Sequence, residues 1–294
     1  MGFYKKSIYD RIFYTVVGAL MIFLAFITLY PFLYVLFASL SDPSEFMTVK
    51  GILWKPIKIT LDSYKAVLNN PNILIGYKNT IFIVVVGTSI NIIFTSIGAY
   101  FLSRKGPLWK KPIMFFIVIT MFIDGGLIPS YLLIKNLGLY NSLWALILPG
   151  AISTFNMIVM RTAFQGIPAS LEESARIDGA NDWTVLFKMI LPISLPTMAV
   201  ISLFYAVSHW NSWFSANLYI NNKRKFPLQL ILRDIVIKSQ VDDMTIGAAM
   251  GDSYAMSFTI KYATVMVATI PILILYPFIQ KYFVKGVMIG SLKE

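Results

Sequence analysis

Six stretches of this chain stay mostly apolar for roughly the ~20 residues that a helix needs to cross the hydrocarbon core of a bilayer. No other feature narrows the possible folds so far. In lipid every backbone N–H and C=O must be paired within the protein, so a spanning segment is a helix or a strand of a closed barrel. The alternation of barrel strands is missing, and an all-α integral membrane protein with six transmembrane helices is expected. The runs fall at Ile12–Leu40, Thr80–Leu102, Ile113–Ile134, Ser142–Ala163, Ile193–Leu218 and Phe258–Phe283. Charge agrees: 13% of residues are charged, where a soluble domain carries roughly a quarter. Lys5, Lys6 and Arg11 stand before or at the start of the first run. That run is longer than the ~7–15 apolar residues of a cleavable signal, so it reads as a retained span.

An even number of spans puts both termini on one side, and short loops rich in Lys and Arg stay cytoplasmic. The loop 103–111 holds Arg104, Lys105, Lys110 and Lys111, whereas the loop after the third run holds only Lys135. This orientation places both termini and the segment 164–192 in the cytoplasm, and the longer segments Ser41–Asn79 and Tyr219–Ser257 outside. The net charge of +11 raises the question of nucleic acid. Most of the basic residues flank apolar runs and no nucleic-acid module accompanies them, so membrane lipid is the expected partner and nucleic acid is not. Cysteine is absent, which excludes disulfides, thiolate metal ligands and cysteine nucleophiles.

Asp124-Gly125-Gly126, with Pro129 beyond, interrupts the third run. Either the helix breaks and Asp124 faces the bundle or a wet cavity, or the span ends near Ile123 and Asp124 sits at the interface.

The segment between the fourth and fifth runs has a different character. Ser170 with Glu173 three residues on fits a capping box, and Glu172 and Glu173 suit the positive end of a helix dipole. Gly179 can take the left-handed conformation that ends a helix. Asn181 or Asp182 can cap a second short helix carrying Trp183, Leu186, Phe187 and Met189, with Pro192 stopping it. Two short polar helices joined by a glycine hinge are therefore expected between two spans.

Glu173, Ala175, Gly179, Leu191 and Pro192 match in type and spacing the EAA loop of the transmembrane subunits of ABC importers. Ser174 and Met189 stand where that pattern has alanine and isoleucine; Asp178-Gly179-Ala180 fits it. His209-Trp210-Asn211, Phe226-Pro227-Leu228 and the tail from Gln280 to Gly286, with Gly290 and Lys293, resemble the carbohydrate branch of the family. The run from Gly125 to Tyr131, with Asn156 to Arg161, is similar to permeases of complex and acidic oligosaccharides. Over nearly its whole length the chain resembles the second permease subunit of a maltose-type importer.

The resemblance implies one permease domain over 1–294, with 164–192 as a cytoplasmic coupling loop and 219–257 as an extracellular loop that meets a binding protein. An oligosaccharide would cross the bacterial cytoplasmic membrane by alternating access. The implied partners are a second homologous permease, two ATP-binding subunits and an extracellular or periplasmic solute-binding protein. ATP and Mg²⁺ would belong to the ATPase subunits, with no cofactor on this chain. Glu172, Glu173, Ser174, Ala175, Asp178, Gly179, Ala180, Phe187 and Met189 would couple to the ATPase, Glu173 by charge, Ala175 and Gly179 by close approach, Phe187 and Met189 as apolar anchors. Gln280, Lys285, Gly286 and Lys293 would touch it from the tail.

Catalytic and metal residues are not expected. The chain has no phosphate-binding loop, and its single histidine, His209, cannot form a histidine zinc cluster. The candidates for the pathway or substrate are Asp124, Asn156, Tyr205, Ser208, His209, Trp210 and Asn211. Helical spacing puts Tyr205, Ser208 and Ser212 on one side with His209 close by; alternatively the aromatic residues there form an interfacial belt. Lys223, Arg224 and Lys225 suit contact with the binding protein, with an anionic glycan or with lipid phosphates. Two further readings stay open: an ABC permease for a non-sugar solute, and an ion-coupled secondary transporter, for which Asp124 would be the ionisable group.

Overall fold

The computed structural model describes residues 8–49, 51–104, 106, 108–245, 256, 258–274 and 276–277. The described chain is helical and divides into two compact units. One comprises the chain up to Asn70 and Asp234–Thr269; the other comprises Pro71–Arg233 and the chain from Ile270.

In the first unit α1 (Ile8–Ser39) is long and uniformly apolar. By length and composition it can cross a membrane, and none of its most apolar window is buried. Asp42 ends the following turn by accepting from the N–H groups of Ser44 and Glu45 at the start of α2 (Pro43–Phe46), where Pro43 needs no partner of its own. After α3 (Asp62–Leu68), Ser63 donates to Thr259 at 2.7 Å, and Phe46 and Tyr34 meet Tyr262 edge to face. Thr259 and Tyr262 belong to α14 (Phe258–Ile274), an apolar helix that covers most of the described part of the sixth predicted run.

The second unit is organised by α4 (Pro71–Ser103), 33 residues or about 50 Å long. It begins nine residues before the predicted second span, so that part of the presumed outer segment is helix. Its buried residues include Gly76, Thr80, Ile83, Gly87, Asn91, Thr95 and Ala99, which recur every three or four positions. Apart from Ile83 they form a stripe of small and polar side chains, the type that lets membrane helices approach and hydrogen-bond. Against it pack α7 (Thr154–Gln165) and α11 (Leu195–Trp210).

The third and fourth predicted spans are each broken. In place of Ile113–Ile134 stand α5 (Lys110–Ile119) and α6 (Leu127–Asn136), separated by 120–126. Gly126 takes φ +85°, and the Asp124 carboxylate accepts from its N–H at 3.0 Å, so the Asp-Gly-Gly run forms a turn that a helix cannot continue through. In place of Ser142–Ala163 stand a 3-10 turn at Leu143–Leu146 and then α7, whose first turn is capped by Ser153. Pro149 and Gly150 lie in the gap, where a proline would otherwise remove a helix hydrogen bond. The fifth span is α11 alone. It meets the preceding helical segment at 86° and gives way at Asn211–Ser212 to α12 (Trp213–Tyr219). A 3-10 turn, Lys223–Lys225, leads into α13 (Leu228–Thr245).

Candidate functional site

The polar hairpin folds as two helical arms. Pro168 is extended (φ −55°, ψ 131°), and α8 (Ala169–Ile177) starts immediately after it with no side-chain cap. The expected capping box at Ser170 is therefore corrected: the proline sets the start of the helix, and Ser170 falls inside its first turn. The far end is as expected. Gly179 has φ +81°; its N–H bonds to the Arg176 carbonyl at 3.0 Å, while Ala180 N–H reaches the Ala175 carbonyl at 2.9 Å. Those two bonds are a Schellman stop, which uses carbonyls the helix end leaves free. Asn181 then accepts from Thr184 N–H at 2.8 Å and opens α9 (Asp182–Val185).

Pro192 does not stop this second arm. The chain widens into a π turn at Leu186–Ile190, continues through α10 (Leu191–Ile193), and breaks at Ser194 ahead of Pro196. A proline inside a helix removes a bond and crowds the preceding turn, and the wide turn just before Pro192 relieves that crowding.

The hairpin is braced from behind. Glu172, with its side chain only 13% exposed, pairs with both Arg104 and Arg176. Arg104 follows the end of α4 and also donates to the Phe164 carbonyl at 3.0 Å, at the end of α7. Arg176 reaches on to Asp182 of the second arm, whose carboxylate accepts from Tyr100 at 3.3 Å. One network thus joins α4, α7, α8 and α9. Burial pushes the Glu172 carboxyl up, but the hydrogen bonds from Arg176 and Arg104 outweigh it and hold its pKa below the ordinary value. Glu172 and Asp182, through the same bonds, raise that of Arg176. Burial, then the positive charges of Arg161 and Arg104, lowers that of Lys110, which donates to the Arg104 carbonyl at 2.7 Å. Between the hairpin and the ends of these helices lies a cavity of about 990 Å³, lined among others by Tyr100, Arg104, Glu172, Arg176 and Trp183.

Its outer face is open. Glu173, Ser174, Ile177, Asp178 and Gly179 are exposed, as are Trp183 and Phe187, which stack with ring centroids 6.0 Å apart. Ile177 is 86% exposed. Four of the expected coupling residues are placed otherwise. Glu172 is turned inward and paired. Ala175 is buried in the protein's own core beside Phe164 and Leu186, and Met189 packs against the same cluster. Ala180 also packs there, half-buried. The exposed apolar residues Ile177 and Trp183 were not among the expected coupling residues, although Ile177 adjoins the Asp178-Gly179-Ala180 motif and Trp183 was placed on the second arm.

The candidate pathway residues separate. Tyr205 and His209 are buried against α4, the Tyr205 hydroxyl 2.7 Å from the Thr95 hydroxyl and His209 Nε2 2.7 Å from the side-chain Oδ1 of Asn91. Asn91 donates to the carbonyls of Gly150 and Ala151 at 2.7 and 3.0 Å, and the Tyr205 hydroxyl accepts from Ser153 N–H at 2.8 Å. These groups satisfy the backbone freed by the break in span four. A Cβ at Gly87 would lie 2.5 Å from His209 Nε2, so glycine there makes room for the imidazole. Ser208 is exposed, apart from Tyr205 and His209, which corrects the expected shared face. Asn156 is buried in α7. Trp210 lies edge-on to Tyr77, and Asn211 is exposed at the break. Asp124 is exposed and does not point into the bundle. Lys223 and Arg224 are exposed, whereas Lys225 donates to the Asn141 carbonyl at 2.7 Å. Gln280, Lys285, Gly286 and Lys293 lie outside the described residues.

Helices of membrane-crossing length, interrupted spans and a braced polar hairpin define a membrane permease subunit. The chain belongs to the family of binding-protein-dependent transport system inner membrane components, matched over residues 92–289. It is 44% identical over 289 residues to the polygalacturonan/rhamnogalacturonan transport system permease YtcP of Bacillus subtilis (strain 168), covering 98% of this chain and 99% of that one. It is 42% identical over 267 residues to the LplC protein of the same organism, covering 91% and 90%. A crystal structure of a bacterial ABC transporter involved in the import of the acidic polysaccharide alginate contains a chain that superposes with a TM-score of 0.86 at 35% identity, covering 96% of this chain and all of that one. The resemblance drawn from the motifs is borne out, and the protein is a transport component rather than an enzyme.

Proposed function

We propose that the protein is a permease subunit of an ATP-driven importer for an acidic oligosaccharide. The observation that carries the coupling role is the asymmetry of the hairpin. Its back is tied to α4 and α7 by the Arg104–Glu172–Arg176–Asp182 network, and its front presents Glu173, Ile177, Trp183 and Phe187 to a partner. A stiff element anchored to the spans can transmit rigid-body closure of an ATPase pair into the bundle. In this reading the hairpin is cytoplasmic, ATP and Mg²⁺ are held by two separate ATPase subunits, and a second permease completes the pathway. A binding protein delivers the substrate to the other side, near the 219–257 segment. Relatives that carry polygalacturonan and alginate support an acidic glycan. The ion-coupled alternative loses its candidate, because Asp124 is exposed at a turn.

The chain has no cysteine, so a single Ile177→Cys substitution gives a clean probe. In purified complexes it should cross-link to the ATPase, and its modification should abolish stimulation of hydrolysis by loaded binding protein. A label that reacts freely, yields no cross-link and leaves stimulation intact would remove the coupling claim. Uptake of oligogalacturonates by the reconstituted complex tests the substrate.

A further inference from the structure

At the end of α11 remote from the hairpin, the chain breaks at Asn211 and restarts as α12 with Trp213. With 16 residues at 1.5 Å each, α11 carries this point about 24 Å from the hairpin end. Facing Trp213 is Arg233 on α13, its guanidinium carbon 4.7 Å from the centroid of the Trp213 ring. The helix that carries Arg233 is anchored. The start of α13 is pinned to α4, where Leu228 N–H bonds to the buried Thr80 hydroxyl at 2.8 Å. A Cβ on Gly76 would come within 3.0 Å of Leu228 Cα, so the two backbones touch.

A ring face offers a guanidinium no strong hydrogen-bond acceptor, so this contact leaves N–H donors of Arg233 available. Arg233 meets no carboxylate among the described residues, in contrast to Arg104 and Arg176. A half-exposed guanidinium with no carboxylate partner among the described residues is placed to accept one. Asn211, two residues before Trp213 in the chain, is exposed, and amides of that kind bind sugar hydroxyls.

We infer that Arg233, held over the Trp213 ring, is a specificity site that binds the carboxylate of an acidic sugar residue as the oligosaccharide enters the permease. The inference rests on the proposed function, which makes this end of α11 the receiving side. Bidentate pairing suits arginine and not lysine, whose ammonium is a point charge.

The test uses the complete complex in proteoliposomes, with oligogalacturonates and their fully methyl-esterified counterparts as paired probes. Arg233→Gln should lower the acid-to-ester preference in uptake about tenfold, the worth of one charge-assisted pair. Arg233→Lys should recover only part of that, and Trp213→Leu should weaken the preference by loosening the guanidinium. An equal fall for both probes, or an unchanged ratio, overturns the inference while the wild-type complex still carries the acid. A wild-type complex that carries only the ester overturns the acidic-substrate reading and this site with it.

Discussion

Arg104 and Glu172 meet across the joint between a long membrane helix and the polar hairpin, and both side chains are nearly buried. Removing one partner of such a pair leaves the other charge buried and unmatched, at a cost of about 3–5 kcal/mol. Arg104→Gln should therefore lower the melting temperature of the purified complex and uncouple hydrolysis from transport. Replacing both residues with apolar ones of similar volume should restore much of the stability. A single substitution that melts like the wild type would show that the pair contributes no brace.

The same pair makes a prediction about pH. The folded protein holds Glu172 below its ordinary pKa of 4.5. Its contribution is complete above that value and is lost as pH falls through the lower, folded value. Glu172→Gln lacks this dependence. The gap in melting temperature between wild type and Glu172→Gln should be widest near about pH 7 and should shrink once the pH passes below about 4.5, as linkage requires.

At Gly87 the constraint is steric. Alanine there would collide with the imidazole atom that bonds Asn91. Overpacking of this kind costs about 1–3 kcal/mol and here would also free the carbonyls of Gly150 and Ala151. Gly87→Ala should destabilise the complex, and much less so in a His209→Ser background. Additive effects in that double-mutant cycle would show that the two positions do not share the space.

The hairpin and its glycine stop were legible in the sequence because local rules govern them: Gly179 needs a positive φ and Asn181 caps the next turn. The inward turn of Glu172 was not, since it depends on Arg104, 68 positions away, which the sequence offers only as one cation in a basic loop. Likewise hydropathy marks a span wherever apolar residues run on, so the breaks near Asp124 and Pro149 leave its count unchanged. The first was signalled by Asp124-Gly125-Gly126, whereas the second shows only through Asn91, which satisfies the freed carbonyls of Gly150 and Ala151. His209 and Tyr205 looked like pathway residues because polar groups in a span invite that reading; both are fasteners between helices, contacts each worth about 0.6 kcal/mol on average in such bundles.

Gly179 and Ile177 separate stability from coupling. No atom lies within 4 Å of a Cβ added at Gly179, so alanine there meets only the left-handed backbone penalty, about 1–2 kcal/mol. Asparagine, which tolerates that conformation, should be milder. Ile177 touches little of its own chain and is 86% exposed, so Ile177→Asp should leave the melting temperature of the isolated permease pair unchanged. If this apolar face docks on the ATPase, however, burying the new carboxylate against it is costly. The variant should then assemble poorly with the ATPase and lose most of its transport. Measuring ATPase retention on purification beside the melting curve distinguishes the two outcomes. A variant that folds, assembles and transports like the wild type would mean that the front of the hairpin is not the surface through which the motor acts.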